Sequence, residues 1–291
     1  MKIKRLTPLF LIVLPALIFA TGCNKNVTPP PPVHDTTVVV KTDTVQVPPP
    51  PDPTVNLTKG LLLYLPFSGN IADSSGNGNP TTASGTVLTY DAHGYANNAF
   101  GATGNGERIY VTNNGSIKFD TAYSISLGFM VNVDRPQFYI SMVDPTNAKG
   151  PSFVVGETVG PITNVSFGSE DVTLGYDLGT NDNIDIADTT GFIPVPGSWY
   201  NLVCIYHRGT NQVYINGKLV SSKTGTGTLA NLVSQSQIVI GAWWNSDPQS
   251  LNGKLDNIRL YNRVLTPHEI AALSSSYQVT SNSQKHQLIT H

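Results

Sequence analysis

Charge and cysteine are both scarce in this 291-residue sequence. Lys, Arg, Asp and Glu make up 12% of the residues, about half of the share that is usual in soluble proteins. The formal net charge is −2, so the chain lacks the basic surface that binding to nucleic acid requires. Only two cysteines are present, Cys23 and Cys204, which excludes a disulfide-rich scaffold.

The first 22 residues are typical of a secretory signal peptide, with basic residues before an apolar run at residues 9–20. That run is too short to span a membrane. Residues 19–23, FATGC, resemble a bacterial lipobox, which implies a diacylglycerol anchor on Cys23. Ordinary cleavage that leaves a free Cys23 is the alternative. With Cys23 acylated, Cys204 has no disulfide partner, and its apolar surroundings in the sequence predict a buried thiol.

The residue after the lipobox cysteine is Asn24. By resemblance to the sorting rules of double-membraned bacteria, this favours an outer-membrane lipoprotein that faces the periplasm or the cell surface. Residues 23–56 are predicted to be a linker rich in proline and threonine, because their proline blocks favour an extended chain. A single domain is predicted at residues 57–276, and residues 277–291 are expected to form a flexible tail.

Alternating apolar residues indicate many short strands in the predicted domain. The clearest alternation predicts that five side chains face a core: Ile125, Leu127, Phe129, Val131 and Val133. The pair Asn216-Gly217 predicts a type I′ turn, because both residues tolerate positive φ. Many short strands with only one convincing helix predict an all-β fold, a sandwich of two antiparallel sheets.

Residues 251–273 are predicted to form a strand, a turn and a short helix. The strand pattern places Asp256 on the same side as Ile258 and Leu260, so Asp256 is expected to point inward. Thr266 and Glu269 form a capping box with Pro267 at the first helical position. The apolar side of this helix is predicted to consist of three residues: Ile270, Ala271 and Leu273.

The residues GKLDNIRLYNR at 253–263, followed by that capping box, resemble the closing strand and helix of the laminin-G-like, concanavalin A-like jelly rolls. Residues 67–77 resemble the opening loop of the same family. The resemblance implies two packed antiparallel sheets, and it implies that Trp199 lies in the core. It does not settle an activity, because this fold is found in lectins, glycan-binding modules, glycosidases and adhesion domains.

Glycosidases of this fold family carry a strand motif with two acidic residues, and residues 183–188, NIDIAD, are the nearest match. The retaining reaction needs two carboxyl groups about 5–5.5 Å apart. Here the first acidic position is Asn183, and Asp185 and Asp188 differ in strand parity, so a solvated acidic loop explains the segment better. No other catalytic motif was found. We therefore predict no catalytic residue and a protein that is not an enzyme.

Asp256 is the leading candidate for a metal ligand. A buried carboxylate must be paired, hydrogen-bonded or bound to a metal. Related jelly rolls often hold a structural Ca²⁺ between the end of the first strand and the final strands. The resemblance therefore implies a calcium site in which Asp256 is a ligand together with Asp73 or nearby backbone carbonyls. A carboxylate that caps turn amides without a metal is the alternative.

Trp243 and Trp244 are the leading candidates for ligand contacts. Adjacent residues of an extended segment face opposite sides, so one indole can pack inward while the other stays accessible. The apolar face of a sugar ring stacks on indole, and Asn245 can bind its hydroxyl groups. Packing of both indoles at the rim is the alternative, and Tyr139 and Tyr176 are weaker stacking candidates.

The leading hypothesis is a non-catalytic surface lipoprotein that binds a glycan or glycoprotein and is held to the membrane by its lipid anchor. The first alternative is a cell-surface adhesion or assembly protein that recognises a protein partner. The second is a glycoside hydrolase of the same superfamily.

Overall fold

The computed structural model describes residues 55–85, 87–143, 153–157, 164–169, 186–225, 237–243 and 249–277. All of the described residues belong to one compact unit within residues 50–291. The predicted signal peptide, Cys23 and almost all of the predicted linker lie outside the described residues. Within the described part of the chain, no helix is both long enough and apolar enough to cross a membrane.

Fifteen strands and one helix lie in the described ranges. In chain order they are β1 (Leu61–Leu65), β2 (Thr81–Ser84), β3 (Val87–Thr89), β4 (Ala99–Thr103), β5 (Arg108–Thr112), β6 (Ala122–Val131), β7 (Phe138–Val143), β8 (Phe153–Glu157), β9 (Val165–Ser169), β10 (Ile186–Thr189), β11 (Tyr200–His207), β12 (Thr210–Ile215), β13 (Lys218–Thr224), β14 (Gln237–Ile240), β15 (Asn252–Tyr261) and α1 (Pro267–Ser275).

The strands form two antiparallel sheets, as predicted. The first sheet has the order β13-β12-β11-β6-β15-β4-β3, and β1 also pairs with β15. The second sheet has the order β10-β9-β8-β7-β14-β5-β2. On one side of β15, its first half pairs with β4 and its second half with β1. This break in pairing falls at Asp256 and Asn257.

The core between the sheets follows the predicted alternation of β6. Ile125, Leu127, Phe129 and Val131 are all buried in it. Val133 is 37% exposed, so its predicted core position is wrong, because β6 ends at Val131 and the alternation no longer applies beyond it.

Two turn signals in the sequence are confirmed. Asn216 and Gly217 have φ values of 51° and 78° and join β12 to β13, as a type I′ turn requires. The Thr266 hydroxyl accepts from the Glu269 amide, and the Glu269 carboxylate accepts from the Thr266 amide, which completes the capping box. Local hydrogen bonds therefore set the start of α1.

Helix α1 covers the outer face of the first sheet. Ile270 and Leu273 pack with Val203, Ile205 and Tyr261, which form a cluster separate from the core between the sheets. Ala271 is exposed, so it is not part of the docked side as predicted. Trp199 is half-buried and lies against Tyr277, with ring centroids 6.1 Å apart. The predicted core position of Trp199 is therefore wrong, because Trp199 precedes β11 and packs near the end of the helix instead.

Arg263 fastens the start of the domain to α1. Its guanidinium donates to both oxygens of Glu269 at 2.7 and 2.8 Å, and to the carbonyls of Lys59 and Asn56 at 2.7 and 2.9 Å. Burial alone would raise the pKa of Glu269, but the hydrogen bonds and charge of Arg263, with the Thr266 amide, outweigh it and lower the pKa to about 2. Glu269 is therefore ionised and paired at neutral pH.

Candidate functional site

Trp243 lies on the outer face of the second sheet, just after β14. Its indole packs edge-on against Phe138, with ring centroids 4.9 Å apart and an angle of 67° between the planes. It also contacts a small apolar cluster of Val143, Val239 and Ala242. Trp243 is half-buried, so it packs against the sheet and is not fully enclosed. Trp244 and Asn245 lie outside the described residues.

Gly241 explains how the chain reaches this position. It has a φ of 84°, and a Cβ there would lie 2.9 Å from the Phe100 ring and 3.0 Å from the Glu107 carbonyl oxygen. Only glycine fits such a close approach at positive φ. The Ser141 hydroxyl then donates to the Trp243 carbonyl at 2.7 Å, which holds the segment on the sheet.

Asp73 organises the opening loop. Its Oδ1 accepts from the amides of Tyr64 and Ser75 at 3.1 and 2.9 Å. Its Oδ2 accepts from the amide and side chain of Asn79 at 3.1 and 2.8 Å. Burial alone would raise the pKa of Asp73, but these hydrogen bonds prevail and lower it. The carboxylate therefore links the loop to β1.

Asp256 is buried, as predicted, but it points to the other side of the sheet. A β-bulge shifts the pairing of β15 with β6 between Asp256 and Arg259, and Asn257 in the bulge has a φ of 50°. Leu255 and Ile258 consequently both face the core although they are three residues apart. The predicted inward direction of Asp256 is wrong, because the alternation was counted through an extra residue.

The surroundings of Asp256 lie under the end of α1. The Tyr277 ring covers Gly128, where an added Cβ would be 2.3 Å from the ring, and its hydroxyl donates to Asp256 Oδ2 at 3.1 Å. Asn257 donates to the same oxygen at 3.0 Å, whereas Oδ1 has no hydrogen-bond partner among the described residues. Burial, with a smaller contribution from the charge of Asp91, raises the pKa of Asp256 to about 6. Tyr277 is only 7% exposed, so the predicted flexible tail does not include it.

The described surroundings of the two predicted calcium ligands differ. Both oxygens of Asp73 face N–H donors, which repel a cation, and Asp256 offers a single oxygen without a partner. Ca²⁺ takes six to eight oxygen ligands. The described part of the chain contains no group of three or more His, Cys, Asp and Glu side chains placed to hold a metal. Asp73 is therefore a turn-capping carboxylate, and calcium at Asp256 stays a prediction.

The candidate acidic motif falls largely outside the described residues. Asp185 is among those not described, and for Asp188 only the backbone is described, in β10, where it pairs with Phe167 of β9. The predicted loop is wrong for residues 186–188, which belong to the edge strand β10. That strand forms by pairing with β9, which the local sequence does not show.

A second buried carboxylate serves the fold. Glu157 is fully buried, and its Oε1 accepts from the Tyr139 hydroxyl at 2.7 Å and from Gln137 at 3.0 Å. Gln137 also accepts from the Asn252 amide at 2.7 Å, so this network joins β8 and β7 to β15 of the other sheet. Tyr139 is fully buried, so its role as a stacking candidate is wrong. Tyr176 lies outside the described residues.

The sequence reasoning missed the loop between β3 and β4, residues 90–98, which we name the tyrosine loop. Tyr95 is 64% exposed, which is the highest value among the exposed large apolar side chains that the structure describes. Tyr90 is 58% exposed, which is the third-highest. The signal in the sequence is YDAHGY at 90–95, in which an Asp that can cap a turn and a glycine lie between two tyrosines.

Comparison with known proteins identifies the fold. A family model, Laminin_G_3, described as the concanavalin A-like lectin/glucanases superfamily, matches residues 79–271. Domain 4 of AbnA, a GH43 extracellular arabinanase from Geobacillus stearothermophilus solved with arabinotriose, is similar with a TM-score of 0.54. It has 20% sequence identity, over 74% of this chain and 98% of that domain. No protein with a curated function matches the sequence.

Binding domains of toxins share the same fold. The binding domain of Paraclostridial Mosquitocidal Protein 1 has a TM-score of 0.56 and 18% identity, over 76% of this chain and 53% of that one. The ligand-binding domain of botulinum neurotoxin serotype D, in complex with N-acetylneuraminic acid, has a TM-score of 0.54 and 16% identity, over 75% and 51%. This chain thus spans about half of the toxin domains, and the likeness concerns the fold. The family match and the two antiparallel sheets show that the chain belongs to the Laminin_G_3 family of the concanavalin A-like superfamily.

Proposed function

We propose that this protein is a non-catalytic carbohydrate-binding protein. The observation that supports this most directly is the similarity to domain 4 of AbnA, which covers 98% of a domain solved with arabinotriose. Nearly the whole of that sugar-bound domain corresponds to the sandwich of this chain. The comparison therefore concerns one domain of the same kind and not a catalytic domain attached to it.

The toxin domains support the same class of ligand. One was solved with N-acetylneuraminic acid, and cell entry of botulinum neurotoxin type C, which has a similar fold, depends on interaction with two ganglioside molecules. Arabinotriose and sialic acid differ in ring size and charge. The proposal is therefore glycan binding as a class, without a particular sugar.

The described acidic residues with unusual environments favour binding over hydrolysis. A glycosidase needs two carboxyl groups that flank an accessible sugar. Glu157 and Asp256 are buried at 0% and 2% exposure, Asp73 caps a turn, and Glu269 pairs with Arg263. Each of these groups serves the fold. Release of reducing ends from a polysaccharide by the purified protein, abolished in Asp185→Asn, would contradict a purely binding role.

We also propose that the domain is displayed by an outer-membrane lipoprotein. The support is the lipobox-like sequence at Cys23, the asparagine that follows it and the proline-rich segment before the domain. Labelled palmitate should be incorporated into the protein in bacterial cells and should be lost in Cys23→Ala. Equal labelling of both proteins would contradict this proposal.

The experiment that tests the function is a glycan array with the purified protein, followed by titration calorimetry of the best ligands. The array should include arabino-oligosaccharides and sialylated oligosaccharides. We expect saturable binding of at least one glycan class, and Trp243→Ala and Trp244→Ala test the predicted indole contacts. No binding to any glycan, with capture of a protein partner that sugars do not compete, would instead support the adhesion alternative.

A further inference from the structure

The tyrosine loop concentrates exposed aromatic side chains. The described residues contain seven exposed large apolar side chains, and only Tyr90 and Tyr95 among them are aromatic. The exposed His93 lies beside them, with its ring centroid 6.3 Å from that of Tyr95. The rings of Tyr90, His93 and Tyr95 therefore face solvent on one loop of nine residues.

The Asp91 carboxylate fixes the backbone of this loop through hydrogen bonds. Its Oδ1 accepts from the amides of His93 and Tyr95 at 2.8 and 2.9 Å, and its Oδ2 accepts from the Asn98 side chain at 3.3 Å. The Asp91 amide donates to the Tyr95 carbonyl at 3.1 Å, and its carbonyl accepts from Gly94 at 3.2 Å. The backbone amide of Tyr95 is thus hydrogen-bonded to the Asp91 carboxylate.

The loop is also attached to the rest of the domain. The Asn98 amide donates to the Thr89 carbonyl at 3.0 Å, and the Gly69 amide of the opening loop donates to the Asn97 carbonyl at 2.8 Å. The Lys254 ammonium on β15 donates to the Tyr90 carbonyl at 3.4 Å. Hydrogen bonds from two other parts of the chain therefore hold the backbone on which both tyrosines stand.

The exposed rings contribute little to folding, and their fixed backbone favours binding. An exposed ring gains little from the hydrophobic effect, because it remains in water in the folded state. Ordering its backbone in advance lowers the entropy lost when a ligand binds. Tyrosine adds a large rigid contact area with few rotatable bonds, which is why it is common in binding loops.

The chemistry around the rings favours a sugar over an apolar protein segment. The other side chains of the loop are alanines, asparagines, an aspartate and His93, so the loop itself places no large aliphatic side chain beside the tyrosines. A sugar presents an apolar C–H face, which stacks on the negative face of an aromatic ring, and hydroxyl groups that bond to phenols and amides. The exposed Asn97 and the Lys254 ammonium supply nearby polar groups.

We propose that the tyrosine loop is a glycan-binding surface in which Tyr90 and Tyr95 stack on sugar rings. The choice of a glycan as ligand rests on the proposed function, whereas the location rests on the loop itself. The surface differs from the predicted Trp243 site, which lies on the outer face of the other sheet.

The test is titration calorimetry of the purified protein with the best array ligand, and with arabinotriose and sialyllactose as fixed probes. Tyr90→Ala and Tyr95→Ala should each weaken binding about tenfold. Tyr90→Phe and Tyr95→Phe, which keep the rings, should stay within about threefold. Leu219→Ala removes a side chain that is 51% exposed on β13 and is the matched control, with no expected change.

Asp91→Ala provides a second, independent variant, since it keeps both rings but removes three hydrogen bonds of the loop. It should weaken binding about as much as the loss of one ring. If the protein binds a glycan and Tyr90→Ala, Tyr95→Ala and Asp91→Ala all bind it as well as the unsubstituted protein does, the loop proposal is overturned while the proposed function stands. If the protein binds no glycan, or if the Tyr variants lose a protein partner only, both proposals fail.

Discussion

Two tyrosine–aspartate pairs of this domain use the same chemistry for different ends. At the end of α1, the Tyr277 hydroxyl donates to Asp256, and the ring is buried over Gly128. In the tyrosine loop, Asp91 accepts from the backbone amide of Tyr95, and the ring is 64% exposed. A carboxylate that binds the phenol makes the ring part of the fold. A carboxylate that binds the amide fixes the backbone and leaves the ring available to a ligand.

This comparison predicts that substitutions at the two ends of α1 change stability, whereas substitutions in the tyrosine loop change binding. Arg263→Ala should have the largest effect on stability. It removes hydrogen bonds to Glu269, Lys59 and Asn56 and leaves the Glu269 carboxylate, whose side chain is only 3% exposed, without its cation. Unpairing a buried charge costs about 3–5 kcal/mol. Urea unfolding measures it, with the exposed Lys218→Ala as control. A loss as small as that of the control would contradict the role of Arg263.

Asp256→Asn should also change the stability, and its effect should depend on pH. The pKa of Asp256 is raised from 3.8 to about 6, so the carboxyl stabilises the fold below pH 4 and loses that contribution as the pH rises through 6. The shift corresponds to at most about 3 kcal/mol. Asp256→Asn should therefore raise the free energy of unfolding at pH 7.5 by up to this amount and leave it nearly unchanged at pH 4.

The same variant tests the predicted calcium. A bound ion would need the ionised carboxylate, so Asp256→Asn would then destabilise the protein at pH 7.5, and EDTA would lower the melting temperature of the unsubstituted protein only. Glu269 does not confuse the measurement at pH 7.5. Its pKa is lowered to about 2, so its contribution is present above its ordinary value of 4.5 and is lost only as the pH falls toward 2.

Gly128→Ala should cost about 1–3 kcal/mol, because the new methyl group would overlap the Tyr277 ring. The ring must move, and Asp256 then loses its phenol donor. The same substitution in a Tyr277→Ala background should be nearly neutral, since the space over Gly128 is then open. Equal costs in both backgrounds, measured by thermal unfolding, would show that Tyr277 does not rest on Gly128.

Tyr95→Ala and Tyr90→Ala should have the smallest effect on stability, within about 0.5 kcal/mol, because both rings are exposed. Tyr277→Ala should cost about 3 kcal/mol or more, because its ring is buried. Thermal unfolding of the three variants side by side measures the difference. Similar losses for all three would remove the distinction between a ring that stabilises the fold and rings that bind a ligand.

The features that the sequence predicted correctly depend on few residues close together. The capping box of α1 needs only Thr266, Pro267 and Glu269, and the β12–β13 turn needs only Asn216 and Gly217. The alternation of β6 is equally local. In each of these cases the local residues determine the geometry, and the rest of the chain is not needed to predict it.

The features that were missed depend on pairing between distant segments. The predicted direction of Asp256 was wrong because of the bulge at Asn257. That bulge lies where the pairing partner of β15 changes from β4 to β1. The strand at residues 186–189 forms by pairing with β9. The tyrosine loop had a turn signal at Asp91 and Gly94, but only the folded chain shows that Tyr90 and Tyr95 remain exposed.

The most direct test is an NMR titration of the purified protein, with its tyrosine rings isotopically labelled, using the glycan that binds best on the array. The ring signals of Tyr90 and Tyr95 should shift with the ligand concentration and saturate, while the buried Tyr277 ring should not shift. Saturable binding that leaves both loop tyrosines unchanged would contradict the claim that exposed rings on a fixed backbone are the glycan-binding surface.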